Sequence, residues 1–235
     1  MQRRPAWLKM ALALGIGVAA AVVLVVGSQL LRGDKGTPEV VTQPVVNLTG
    51  IPQHDRVLGN PAAKVTVMEF ADQQCPGCRF YTLNVFPSLV KNYVRPGKVK
   101  MEYHGFPFIG PDSVKGLRFL LAAGKQNRLW QLQEALYRHQ GRENSGWISD
   151  SLIRQLAAKI PGLDVDKLFA DANSAAITKE AEGAEQKSGD VMAKFVSPLQ
   201  TPTFLIKVGD QDPYYVDVGF DVSQFSAALD DALKG

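Results

Sequence analysis

The stretch Val65-Thr66-Val67-Met68-Glu69-Phe70-Ala71-Asp72-Gln73-Gln74-Cys75-Pro76-Gly77-Cys78 decides how the rest of this 235-residue chain is read. Its first half, Val65 to Phe70, is apolar and rich in β-branched residues, which predicts a strand. From Phe80 onward apolar residues return at helical spacing, so Cys75 and Cys78, the only two cysteines in the sequence, stand at a strand-to-helix junction. The first N–H groups of a helix lack intrahelical partners and carry partial positive charge, which favours a thiolate. Cys75 is therefore expected to have a pKa below the ~8.5 of a free cysteine. Pro76 suits the first helical turn, where its missing N–H would have had no partner. Cys78, one turn further in, is expected to be more buried and nearer neutral. On this reading Cys75 attacks and is attacked, and Cys78 resolves the mixed disulfide.

Working outward, the helix is predicted over about Pro76 to Tyr93, with a kink or an end near Pro87, which cannot donate its hydrogen bond. Lys98 to His104 follows as a second strand, with Val99, Met101 and Tyr103 alternating, and the three elements make a βαβ unit. Residues 112 to 196 read as several helices. Val114, Leu117 and Leu121 mark one face, Leu129, Leu132 and Leu136 a second, and Leu152, Leu156 and Ile160 a third. Pro161-Gly162 is a stop, and Asp164 is placed to cap a short helix carrying Leu168 and Phe169. Ala175 to Met192 is a further helix, rich in alanine and charge. Strand character returns at Thr203 to Val208 and Tyr214 to Val218, joined by the five-residue turn Gly209-Asp210-Gln211-Asp212-Pro213. Asp221, with Gln224 three residues on, starts a last amphipathic helix.

Hydrophobic content of 46% and charged content of 21% describe an ordinary folded chain. Its net charge of +3 comes from one end. Of the 26 basic residues, Arg3, Arg4, Lys9 and Arg32 precede residue 33, and setting those four aside leaves 22 against 23 acidic ones, which offers no nucleic-acid surface. No residue from Met10 to Leu31 is charged, and a helix of that length spans roughly 30 Å of hydrocarbon. Residues 1–9 are thus expected in the cytoplasm, residues 10–31 as a transmembrane anchor, and the remainder across the membrane, since the positive charges before the apolar run hold the N-terminus inside. The alternative, a long signal peptide cut after Gly27 or Ser28, lacks the usual Ala-x-Ala pattern. Residues 32–56, with scattered Gly and Pro among polar residues, read as a flexible linker.

The element order, with Cys-x-x-Cys after the first strand and Thr201-Pro202 before the hairpin, resembles a thioredoxin fold with a helical insertion. It is most similar to the DsbA-like thiol–disulfide oxidoreductases of the membrane-anchored bacterial type. The residues carrying the resemblance are Gly59-Asn60-Pro61-Ala62-Ala63, the strand Val65 to Phe70, Cys75-Pro76-Gly77-Cys78, Phe106-Pro107-Phe108, Leu129-Trp130 and Thr201-Pro202-Thr203-Phe204. The resemblance implies an α/β fold over residues 57–235, a helical insertion at about 111–196, and a redox-active Cys75–Cys78 disulfide. It also implies a cis Thr201-Pro202 bond facing that disulfide. Thr201, Pro202, Pro76 and Gly77 would then bind an extended substrate. Glu69, the one acid in an apolar strand, would be a buried carboxyl of raised pKa that relays protons for Cys78; strand alternation alone also allows an outward-facing surface glutamate.

The function that follows is disulfide formation in reduced or unfolded secreted proteins, by an extracytoplasmic domain. Reoxidation by a quinone-linked membrane thiol oxidase of the DsbB or VKOR type is implied. No cofactor is expected. The same pair run in reverse would make a reductase or isomerase, and a non-catalytic metal-binding or chaperone module is the alternative of another class. His54, His104 and His139 are scattered and show no metal-ligand spacing with the cysteines. Gly77 adds no side-chain charge or dipole to the thiolate, where many strongly oxidising members of the family carry a histidine.

Overall fold

The structure is a computed structural model that describes residues 44–234. Two short strands, β1 (Gln53–His54) and β2 (Val57–Leu58), lead into β3 (Val65–Ala71); β4 (Val99–Gly105), β5 (Thr203–Val208) and β6 (Tyr214–Tyr215) follow. Together they form one sheet in the order β1-β2-β4-β3-β5-β6. β3 runs parallel to β4 and antiparallel to β5, so the strand that precedes the cysteines is the central one. The expected βαβ unit and the terminal hairpin are both present, although β6 is two residues long and Val216 to Val218 leave the sheet.

The linker expected over residues 32–56 lies in part outside the described residues, but its described portion enters the fold. Gln53 pairs with Leu58 across an antiparallel hairpin, and β2 pairs with β4. Leu48 and Ile51 are buried in the main core. Two-residue strands show no alternation to read, so only the sheet edge they meet reveals them. The glycine that closes this hairpin is constrained: Gly59 has φ +117°, and a Cβ there would stand 3.0 Å from the Val99 carbonyl oxygen. Among the described residues no helix is long and apolar enough to cross a membrane. The expected cytoplasmic segment 1–9 and anchor 10–31 lie outside the described residues.

The helix after the cysteines, α1, follows 76–94 without stopping at Pro87. It opens as Pro76–Phe80, widens to π-helical turns over Tyr81–Val85, tightens at Phe86–Leu89 and widens again over Val90–Val94. The wide turns replace α-helical hydrogen bonds by ones that skip a residue further, as in Phe86 N–H to Tyr81 O. The proline, which cannot donate, is thereby carried inside a continuous helix.

The insertion comprises α2 (Pro111–Gly124), α3 (Leu129–Arg138), α4 (Asp150–Ala157), α5 (Val165–Ala172), α6 (Ala175–Glu182) and α7 (Ala184–Met192), and α8 (Val222–Ala232) closes the fold. The caps follow the sequence. Asp164 accepts from Lys167 N–H, and Asp221 accepts from the N–H groups of Ser223 and Gln224. The stretch Ala175 to Met192 is two helices, divided at Gly183. Insertion and sheet share one core: Trp130 of α3 stacks on Phe86 of α1, with ring centroids 5.5 Å apart, and meets Tyr103 of β4 edge-on. α3 is thereby fixed against the back of the cysteine-bearing helix.

Candidate functional site

β3 ends at Ala71, and the next four residues turn the chain into α1. Cys75 is the N-cap of that helix, in an extended conformation, and Pro76 occupies its first turn. Both cysteines are free thiols in this structure. The Cys78 N–H donates to Cys75 Sγ at 3.3 Å, and the Cys75 thiol donates to the Thr201 carbonyl at 3.2 Å. Thr201-Pro202 is a cis bond, as is Ser197-Pro198, which the sequence did not flag. The chain thus returns after 126 residues to lay a backbone carbonyl on the first cysteine.

The two sulfurs sit in opposite environments. Cys75 is pulled from the ordinary 9.0 down to about 6. Donation from the Cys78 thiol contributes most, and the Thr201 side chain and the N–H groups of Cys78 and Gly77 add to it, against a burial cost. Among the described residues the Thr201 hydroxyl has no hydrogen-bond partner beside the protonated thiol, and it lowers the Cys75 pKa by donating to the thiolate form. Cys78 is fully buried, and desolvation first, then the neighbouring Cys75, pushes its pKa well above 9.0.

Gly77 is tightly enclosed. A Cβ at this position would stand 3.1 Å from Phe220 Cζ, 3.2 Å from Pro202 Cδ and 3.6 Å from Cys75 Sγ. Phe220 is exposed and meets Phe80 edge-on at 5.1 Å. A Cβ at position 77 therefore requires Phe220 and Pro202 to give by a few tenths of an ångström, and a ring beyond that Cβ competes with Phe220 for its place beside Phe80. Gly77→His is expected to cost about 0.5–1.5 kcal/mol through the lost aromatic pair, and less in a Phe220→Ala background. Denaturant unfolding of the four proteins measures this, and an equal cost in both backgrounds would refute the contact.

Both faces of β3 are largely buried, and Glu69 takes the one turned to the main core. It shares a face with Val65, Val67 and Ala71, toward the core that holds Cys78 and Tyr81, and it is 1% exposed. The outward-facing alternative does not occur. Burial lifts its carboxyl from 4.5 to about 8, tempered by a 2.9 Å hydrogen bond from Gln133 Nε2. It makes no hydrogen bond to either sulfur among the described residues. The structure therefore brings Cys75, Pro76, Gly77, Thr201 and Pro202 together, with Cys78 buried beneath them and Glu69 further behind.

Several residues at the site were not singled out from the sequence. Asp72 is buried, and its carboxylate accepts from Ser113 Oγ, Gln74 N–H and Ile109 N–H. Gln73 Nε2 reaches the hydroxyls of Tyr103 and Tyr137, and the Tyr137 hydroxyl donates to the Asp72 carbonyl at 2.9 Å. Arg79 donates through Nε to the Tyr137 carbonyl at 3.0 Å. Gln140 Nε2 donates to the carbonyls of Gln73 and Cys75. A partial signal was present: Gln133 and Tyr137 stand at i and i+4 beside the leucine face of α3, and Gln140 follows just past the helix end.

A thioredoxin core that presents a dithiol at the N-terminus of its first long helix, opposite a cis-proline, defines the class of thiol–disulfide exchange proteins. A thioredoxin family model matches residues 52–231. The probable disulfide bond formation protein D of Bacillus anthracis is 30% identical over 234 residues, covering 95% of this chain and 96% of that one. Among solved structures, oxidised BdbD from Bacillus subtilis superposes with a TM-score of 0.62 at 24% identity, covering 79% of this chain and 98% of that one. Wolbachia pipientis alpha-DsbA1 superposes with a TM-score of 0.63 at 19% identity, covering 80% and 94%. The chain belongs to the thioredoxin family, as a DsbA-like thiol–disulfide oxidoreductase.

Proposed function

We propose that this protein is a disulfide donor, and that Cys75 and Cys78 carry the exchange. The observation that supports this most is the split between the two sulfurs, one held at about 6 and the other well above 9.0. In the donor direction a substrate thiolate attacks Cys75 Sγ of the Cys75–Cys78 disulfide, forming a mixed disulfide and releasing Cys78 as a thiolate that takes up a proton. A second substrate thiolate then attacks the substrate sulfur of the mixed disulfide and expels Cys75. The substrate is oxidised by two electrons and the protein dithiol keeps them. Expulsion is easy because Cys75 is a good leaving group at neutral pH. At pH 7 a thiol of pKa about 6 gains about 1.4 kcal/mol by ionising, which makes the pair ~30 mV more oxidising than one with an ordinary thiol.

The substrate side has matching chemistry. Thr201 and Pro202 lie against Cys75, and the exposed rings of Phe80 and Phe220 flank Gly77. An apolar rim with free backbone suits extended, unfolded polypeptides rather than one folded partner. We assign substrate contact to Thr201, Pro202, Pro76 and Gly77, and to the protonated Glu69 carboxyl the delivery of a proton to the departing Cys78 thiolate through an intervening group. Two cysteines in the whole chain and a dithiol built to be oxidised fit an extracytoplasmic domain, held by the apolar segment 10–31 and the linker after it. Turnover then requires a membrane partner that reoxidises the pair, of the quinone-linked DsbB or VKOR type.

The test is oxidative refolding: the oxidised protein is mixed with a reduced, unfolded secreted protein and the return of native disulfides is followed. The donor reading expects one substrate disulfide per protein without added oxidant. Reduction of insulin in preference to oxidation of the reduced substrate would reverse the direction.

A further inference from the structure

The turn over Asp72–Cys75 and the first turn of α1 offer different groups to the Cys75 sulfur and to the helical insertion. On the sulfur side, the N–H groups of Gly77 and Cys78 lower the Cys75 thiol. On the other side, three carbonyls are held by donors from the helical insertion: Asp72 O by the Tyr137 hydroxyl at 2.9 Å, and Gln73 O and Cys75 O by Gln140 Nε2 at 2.9 and 3.1 Å. The Cys75 carbonyl already accepts Arg79 N–H at 3.1 Å as the first bond of α1, so Gln140 is its second donor. Gln140 follows the last turn of α3, and its own N–H bonds Tyr137 O. That helix is anchored to the core through Trp130 and to Glu69 through Gln133.

We propose that Gln140 is a positioning residue for the exchange reaction: by holding the carbonyls of Gln73 and Cys75 toward the insertion, it keeps the first turn of α1, with the N–H groups of Gly77 and Cys78, in place against the Cys75 sulfur. The inference rests on Cys75 being the exchanging cysteine. Without the Gln140 amide, two carbonyls lose a donor and their peptide planes gain freedom to rotate. Any such rotation brings the negative end of a peptide dipole toward a thiolate. A donor at the Cys75 carbonyl also withdraws charge from the peptide unit attached to the Cys75 α-carbon. Gly77 has no side chain to perform this task from within the Cys-Pro-Gly-Cys motif, so the insertion supplies it.

The test titrates the Cys75 thiolate by its ultraviolet absorbance, and measures the glutathione equilibrium, in the wild-type protein, Gln140→Leu and Gln140→Glu. Leucine removes the donor. Glutamate keeps the shape, removes the donor and adds charge, and it serves if the leucine variant does not fold. The expected result is a Cys75 midpoint raised by about one pH unit in Gln140→Leu and by more in Gln140→Glu. The pair then becomes up to about tenfold less oxidising, ~30 mV, while both proteins unfold cooperatively. Variants that titrate with the wild type overturn the proposal, even if their stability falls, because a purely structural glutamine would move stability alone. A wild-type midpoint at the ordinary thiol value overturns the assignment of Cys75 and the proposal with it.

Discussion

Cys75→Ser abolishes thiol–disulfide exchange, whereas Cys78→Ser leaves a protein that reacts once with a disulfide and stays joined to it. The asymmetry follows from the environments of the two sulfurs. At pH 7 a group of pKa about 6 is mostly thiolate, and one raised well above 9.0 is almost entirely thiol. Because only the thiolate attacks, alkylation at neutral pH is expected to be at least ~100-fold faster at Cys75. Burial widens the gap, since Cys78 has no exposed surface. The check is mass spectrometry of each variant after mixing with oxidised glutathione. A stable adduct on Cys78→Ser and none on Cys75→Ser is the predicted pattern; equal adducts on both would contradict the assignment.

Glu69→Gln stabilises the reduced protein at pH 7 by about 3 kcal/mol and leaves it unchanged near pH 4. The sign follows from linkage. Below pH 4.5 the carboxyl is protonated in both folded and unfolded chains. Between 4.5 and about 8 the unfolded chain releases the proton that the folded one retains, so the wild type loses about 1.4 kcal/mol per pH unit across that window. Glutamine never pays this cost, and as an acceptor it still receives the hydrogen bond from Gln133. Denaturant unfolding at the two pH values separates the outcomes: equal stability differences at both would mean that the carboxyl is already ionised in the folded protein. If Glu69 also serves as the proton relay, the exchange rate of Glu69→Gln loses a pH dependence centred near 8.

The parts of this molecule that are local in sequence were legible there. An apolar strand, a Cys-x-x-Cys and a proline at a helix start are neighbours in the chain, so their chemistry follows from adjacency. Thr201-Pro202 could be placed against Cys75 only through the family resemblance, because 126 residues intervene and nothing in a Thr-Pro pair says what it faces. Glu69 was ambiguous for a related reason: strand alternation tells which residues share a face, not which face the protein buries. The short β1 and β2 strands escaped because two residues cannot show a period, and Pro87 misled because wide helical turns absorb a proline without a break. The amide and hydroxyl groups of Gln73, Gln133, Tyr137 and Gln140 carry no local sequence signal that says what they meet. Their meaning depends on α3 packing behind α1, which Trp130 and Phe86 decide.

One consequence of that packing is that the oxidising strength of the pair is not written in the motif. Gly77 contributes no charge, and a larger residue there must push Phe220 and Pro202 aside by a few tenths of an ångström. The thiolate is stabilised chiefly by Cys78, with the Thr201 side chain and the backbone N–H groups of Cys78 and Gly77 adding to it, and by no side chain of the dipeptide. The most direct test of this account is the equilibrium of the Cys75–Cys78 pair with glutathione at neutral pH. The account predicts a potential clearly more oxidising than the about −270 mV of thioredoxin, as a donor requires. A value at or below thioredoxin's would contradict it and turn the same site into that of a reductase.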